Sequence, residues 1–499
     1  MTLDKDRIYQ ALNFACLLVA GIFSFSFFYI AFSTLGYPYN LEWMEGHTVD
    51  IIQRIRDGKS LYVEPTLEYT PYIYTPFYFY VSAFFSYFSG VDFAPARLVS
   101  ILSTLGNAAI LFLWMRKEGA GKVTAFFTAG LFLATYKLSG RWFDVARLDS
   151  LYLLLMVSGL YIYYFHQSLR SAIISGVLFA LAFYTKQSAI LVLFPAFVVA
   201  VFLAPRRALI TACVAGTLSV LAYALFEYSS HGWFSFFIYD VPAGHSNDWN
   251  ALAKFWIRDM RECRILLILS FFALFMFCER DKKSFYWYLA LLIGFIGSSY
   301  ASRIHSFGHI NVLMPTHYIL VLLSGFALQK ASEIRHDLKF AIPCLLALQM
   351  YWMQYSFDDY IPSKEAKING EKLIAEIAAI PGDILFSELQ YIQSKAGKKI
   401  YTVGMAGFDL MRSELKDKNY IKKAYTDKLI TDLRDHRFSA VVTGKFMKLR
   451  EANAYYKLDR TLANLPEYVT GAVSSPILNV LHPIKKPEPP LDFFPLPIQ

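Results

Sequence analysis

"YTPYIYTPFYFYVSAFFSYFSG" (residues 69–90) is long and apolar enough to pass for a membrane span, and its reading sets the sidedness of every later segment. Pro71 and Pro76 interrupt it, and Tyr and Phe crowd it, which suits a helix lying among lipid headgroups. As a span it would reverse the parity of everything that follows. The short basic connections would then land outside, against the positive-inside tendency. The stretch is therefore expected to be interfacial.

Working outward, apolar runs of spanning length recur from residue 8 to about residue 357. About eleven spans are expected, at 8–33, 95–115, 122–138, 149–165, 170–185, 188–204, 208–226, 264–279, 285–300, 311–328 and 340–357. The 499-residue chain is 56% hydrophobic and only 17% charged, below the roughly one quarter usual in soluble proteins. Mean hydropathy is +0.37. Ile8–Thr34 is too long for a signal-peptide core and lacks a small-residue cleavage site, so it reads as a retained helix. The net charge of +9 comes with no basic-aromatic groove, so no nucleic-acid partner is expected. The five cysteines show neither metal-ligand spacing nor a disulfide framework.

The connections sort into two sets. The short, basic ones carry Arg116, Lys117 and Lys122, then Arg170, Arg206 and Arg207, Arg280, Lys282 and Lys283, and Lys330, Arg335 and Lys339. These are expected in the cytoplasm, with the N-terminus beside them. The other set, 34–94, 138–149, the turn at Lys186, 227–263 and 301–310, falls outside by parity. The fold class is therefore mostly α: a polytopic transmembrane helical bundle over residues 1–357, with 34–94 as its first outer loop. Beyond it, "DILFSE" (383–388), "KKIYTVG" (398–404) and "FSAVVTG" (438–444) read as short strands, separated by Lys- and Glu-rich helical patterns. A small extracytoplasmic α/β domain is expected over 358–482, and an extended Pro-rich tail over 483–499.

Polar residues that hydropathy does not explain gather on the outer set. They are Glu42 and Glu45 in "NLEWMEGH" (40–47), and Asp144, Arg147 and Asp149 in "RWFDVARLDS" (141–150). Lys186 follows in "YTKQS" (184–188), then Arg303, His305, His309 and Asn311 in "SRIHSFGHINVLMP" (302–315). Each has a plain alternative: an interface acid, a local Asp144–Arg147 pair, a helix cap at Asp149, a snorkelling Lys. His305 and His309, four apart, would share one helical face and could hold a metal there, although no ligand spacing demands a divalent ion. Together, acids and cations on one face suit a substrate with an anionic head, a lipid tail and a sugar, as in a polyprenyl-phosphate sugar. Lys or Arg would hold the phosphate. The phosphate leaves without help, and a carboxylate would take the acceptor's proton, inverting the anomeric centre.

The order of several motifs also resembles a known family. An acidic motif closes the first span, followed by "YTPFYFYV" (74–81), whose Tyr74 joins the candidates, and "ARLVS" (96–100). Then come "RWFDVARLDSLYLLL" (141–155), "LAFYTKQSAILVLFP" (181–195) and "HINVLMP" (309–315). This order, over roughly residues 8–330, is similar to the GT-C superfamily of membrane glycosyltransferases, which includes protein mannosyltransferases and the aminoarabinose transferase of lipid A. The resemblance implies an inverting transferase, with no required cofactor, that moves one sugar from a polyprenyl phosphate to an extracytoplasmic glycan, lipid or protein. It implies a bacterial inner (plasma) membrane. Glu45 matches the catalytic acid of the first outer loop, with Glu42 beside it, spaced Glu-x-x-Glu where relatives have adjacent acids. Asp149 matches the second-loop acid and Lys186 a donor-phosphate ligand. His309 stands where many relatives carry a basic residue, and Arg303 is the alternative phosphate ligand. Competing readings are a lipid-linked oligosaccharide flippase, which calls for midplane charges and repeated halves, and a polysaccharide ligase or polymerase.

Overall fold

The computed structural model describes residues 5–334, 338–444, 449–462, 465, 469 and 477–484. A helix stands at each of the eleven expected span positions. The first nine helices of the chain are α1 (Lys5–Leu35), α2 (Glu45–Arg56), α3 (Phe77–Ser89), α4 (Phe93–Lys117), α5 (Lys122–Ala134), α6 (Asp149–Phe165), α7 (Leu169–Thr185), α8 (Ala189–Leu203) and α9 (Pro205–Ser229). Later long helices cover Arg264–Arg280, Lys282–Ile304, Met314–Ile334 and Leu338–Met353. Among the described residues, five segments have both the length and the composition to cross a membrane: Ile8–Leu35, Phe93–Lys117, Pro205–Ser229, Lys282–Ile304 and Ile310–Ala331. Helices α5 to α8 are apolar but shorter.

Local chemistry starts and stops these helices. Asp92 caps α4 by accepting from the Phe93 amide, Ser168 caps α7 through Ser171, and Pro205 opens α9. Asp281 caps Lys282–Ile304 by accepting from the amides of Lys283 and Ser284. The apolar faces are not all inside: Phe14, Phe25 and Phe32 of α1 and Leu221, Leu225 and Tyr228 of α9 are exposed. Such a surface needs lipid around it. Small residues bring helices close. A Cβ on Gly176 of α7 would lie 2.8 Å from the Thr211 carbonyl of α9, and one on Gly294 would lie 2.4 Å from the Val192 carbonyl of α8.

The stretch at 69–90 takes the form of an irregular segment followed by α3. At 13 residues, α3 is ~20 Å long, short of the ~30 Å hydrocarbon core. It packs on α2 and α4 and leaves Phe84, Tyr87 and Phe88 exposed.

The C-terminal unit holds a four-stranded sheet in the order β1-β2-β4-β3, from β1 (Ile384–Phe386), β2 (Ala440–Gly444), β3 (Tyr456–Leu462) and β4 (Leu478–Pro483). β1 runs parallel to β2 with Leu385 opposite Val441, while β4 is antiparallel to both β2 and β3. β1 and β2 are buried on both faces, which is why they read as unbroken apolar runs. The strand expected at 398–404 does not form. Its backbone is used elsewhere: the Thr402 amide donates to the Leu67 carbonyl at 2.7 Å, and the Thr70 amide donates to the Thr402 hydroxyl at 2.6 Å. That segment therefore ties the C-terminal unit to the first outer loop. The edge strand β3, with Lys457, Asp459 and Arg460 among its residues, was not anticipated, nor was β4. Most of the expected Pro-rich tail, residues 485–499, lies outside the described residues.

Candidate active site

Two acids three residues apart meet different fates. Glu45, the first residue of α2, is buried against Arg97 of α4. Arg97 Nε donates to Oε1 at 3.0 Å and Nη2 to Oε2 at 2.8 Å. The Ala146 and Leu41 amides each add a bond of 2.6 Å. Burial opposes ionisation of Glu45, but Arg97 and these bonds outweigh it and hold the carboxyl below its ordinary range. Both oxygens are spent, so the base role expected of Glu45 does not fit this geometry. Arg97 also donates to the carbonyls of Thr34, Tyr37 and Tyr39, fastening the end of α1 and the loop after it.

Glu42 is held more loosely. The Met44 amide donates to Oε2 at 2.9 Å, and Arg147 Nη1 lies 3.3 Å from Oε1 and 3.5 Å from Oε2. Burial pushes its carboxyl up to about 7, partly offset by Arg147 and reinforced by Glu45. Arg147 also reaches the Tyr74 hydroxyl, at 3.5 Å. The expected Asp144–Arg147 pair does not form. Asp144 instead lies 3.6 Å from Arg141 and accepts from the Tyr136 hydroxyl at 2.9 Å. The loop that carries it is tightly wound: Gly140 and Arg141 have φ of 61° and 70°, strained for the arginine.

Asp149 begins α6, yet its side chain makes no capping bond. Oδ1 instead accepts from Lys186 Nζ at 2.6 Å and from Asn311 Nδ2 at 3.1 Å, while the buried Oδ2 has no partner among the described residues. Three distant segments thus meet at one carboxylate.

Trp43, Tyr74, Arg147, Lys186, His305, His309 and Asn311 line one cavity of about 440 Å³. Glu42 and Asp149 stand directly behind Arg147 and Lys186. Arg303 is elsewhere. It pairs with Asp259 at 2.8 Å and faces an adjoining cavity of about 430 Å³ that shares the His309 wall, so the structure does not bring it beside Lys186. The helical His pair does not exist either, because the helix stops at Ile304. His305 lies against His245, and His309 contacts Trp43 and Trp142. Burial and the nearby Arg147 and Arg303 lower His309 to about 4, so it faces the cavity as a neutral imidazole and not as a cation. Among the described residues, no three His, Cys, Asp or Glu side chains are grouped as a metal would need.

Residues not anticipated complete the walls. Gln187 follows Lys186, and Asp409 and Arg412 come from the C-terminal unit. A charge inside an apolar span was the available signal for Arg97. Asp409 and Arg412 lie in an ordinary polar stretch and gave none.

The family model described as Dolichyl-phosphate-mannose-protein mannosyltransferase matches residues 73–231, a segment that includes Tyr74, Arg147, Asp149 and Lys186. No curated protein matches by sequence. The fold is similar to ArnT from Cupriavidus metallidurans in the apo state, at 15% identity and a TM-score of 0.63 over 92% of this chain and 97% of that one. The same protein bound to undecaprenyl phosphate gives 13% identity and 0.59 over the same shares. An Archaeoglobus fulgidus oligosaccharyltransferase tethered with an acceptor peptide gives 11% identity and 0.55, over 90% of this chain and 72% of that one. The family match over residues 73–231 and the ArnT-like fold both agree with the motif order, in which the chain resembles the GT-C superfamily of membrane glycosyltransferases.

Proposed function

We propose that this protein transfers a single sugar, with inversion, from a polyprenyl-phosphate carrier to an acceptor outside the cytoplasm. In this reading it lies in a bacterial inner membrane with about eleven spans and a cytoplasmic N-terminus. The observation that carries the reading is the single cavity where Arg147 and Lys186 converge, each backed by a carboxylate. An apolar groove of about 400 Å³ between α6, α7, α8 and α9, lined by Tyr163, Phe183 and Phe194, suits the lipid tail. ArnT bound to undecaprenyl phosphate lends support by fold.

The donor phosphate takes up Lys186 and Arg147, while Asp149 and Asn311 keep Lys186 in place. Drawing Arg147 toward the phosphate frees Glu42. The acceptor oxygen then attacks the anomeric carbon, its proton passes to Glu42, and the bond from that carbon to the phosphate oxygen breaks. Glu45 holds α2 in register without touching the reacting atoms.

Lys186→Gln is expected to weaken binding of polyprenyl phosphate roughly 10- to 150-fold, the worth of one charge-assisted bond. Titration of the purified protein in nanodiscs measures this, and unchanged affinity would refute the phosphate assignment. The pH profile of kcat/KM gives a second check. A base must be ionised to act, so transfer should climb as pH rises through about 7, where burial sets Glu42, and level off above it. A profile flat from pH 5 to 8 would count against Glu42.

A further inference from the structure

We propose that Asp409 and Arg412, carried by the C-terminal unit, form the subsite that reads the hydroxyls of the sugar on the lipid phosphate. The inference rests on the transferase reading above and adds a binding role for a part of the chain distant from the motifs.

Both residues line the cavity that holds Lys186 and Arg147. They are fixed there by contacts to the loop before Arg264. His245 Nε2 meets the Asp409 carbonyl at 2.9 Å, the Ser413 hydroxyl donates to the Val241 carbonyl at 2.8 Å, and the Glu414 amide donates to the Gly244 carbonyl at 2.9 Å. Lys418 pairs with Asp240 on the same seam. Such bracing is what a recognition site requires.

The bonding pattern names the ligand class. Arg412 Nε and Nη2 both donate to Asp409 Oδ1, at 2.9 and 2.7 Å. No described residue donates a hydrogen bond to Oδ2. Arg412 Nη1 makes only a long contact of 3.4 Å, to the Ser306 carbonyl. The pair thus offers an open acceptor beside an under-used donor, with no net charge. A phosphate needs surplus positive charge and would meet the Asp409 carboxylate head-on. Adjacent sugar hydroxyls each donate and accept, and they fit such a pair.

The test compares bare polyprenyl phosphate with polyprenyl-phosphate mannose, glucose, galactose and arabinose, titrated into the full-length protein in nanodiscs. Wild-type protein should bind at least one sugar-bearing lipid roughly 5- to 100-fold more tightly than the bare lipid, as one or two hydrogen bonds supply. In Asp409→Asn and Arg412→Gln that gain should fall toward one, with bare-lipid affinity unchanged. In Lys186→Gln both lipids should weaken alike. Arg412→Lys, which keeps the charge, should recover only part of the gain. A gain that survives in both Asp409→Asn and Arg412→Gln, a wild type with no gain for any sugar, or equal losses for both lipids would overturn the proposal. Failure of the wild type to bind polyprenyl phosphate at all would instead sink the transferase reading.

Discussion

Glu42→Gln is expected to lower the rate of sugar transfer by ~10²- to 10⁴-fold, the usual contribution of a positioned general base. The substitution keeps shape and keeps an acceptor for the Met44 amide, so the loop should hold. Donor affinity should stay within a few-fold of wild type, because in the proposed arrangement Lys186 and Arg147 hold the phosphate. Single-turnover transfer from a saturating polyprenyl-phosphate sugar in proteoliposomes separates the two quantities. Near-normal turnover would remove Glu42 from the chemistry. Its neighbour provides the contrast: Glu45→Gln should fail in folding rather than in catalysis.

The second large effect concerns stability. Arg97→Met strips Glu45 of its partner in a site where both side chains are fully buried, and it also removes the guanidinium bonds to the Thr34, Tyr37 and Tyr39 carbonyls. Removing one member of a buried ion pair costs ~3–5 kcal/mol, because a charge remains without compensation. A fall in melting temperature in detergent, with α1 and α2 loosened, is the expected result. The double variant Arg97→Met/Glu45→Met should melt above either single one, since an apolar pair carries no orphaned charge. A single variant that melts like wild type would mean that the pair does not anchor the loop.

Glu42 and Glu45 share residue type, neighbourhood and helical edge. What separates a fully bonded carboxyl held low from one pushed up to about 7 is their partners, Arg97 lying 52 residues from Glu45 and Arg147 lying 105 residues from Glu42. Local spacing carries no trace of such pairings. Asp144 has an arginine three residues away on either side, and only the fold selects Arg141 over Arg147. The fold likewise ends the expected helical face of His305 and His309 at Ile304.

The sequence alone determined that the chain is a helical membrane protein. Hydrophobic length is a local quantity, and a bilayer tests it directly. The sequence also marked Tyr74, Arg147, Asp149, Lys186 and Asn311, because polar groups at the edge of apolar helices are costly enough to stand out. Tertiary structure decided which of the marked groups meet, left Arg303 in a different cavity, and brought Asp409 and Arg412 from the far end of the chain to the cavity wall. The physical reason is range: burial and hydropathy act residue by residue, whereas the charge and freedom of a carboxylate depend on whichever distant helix packs against it.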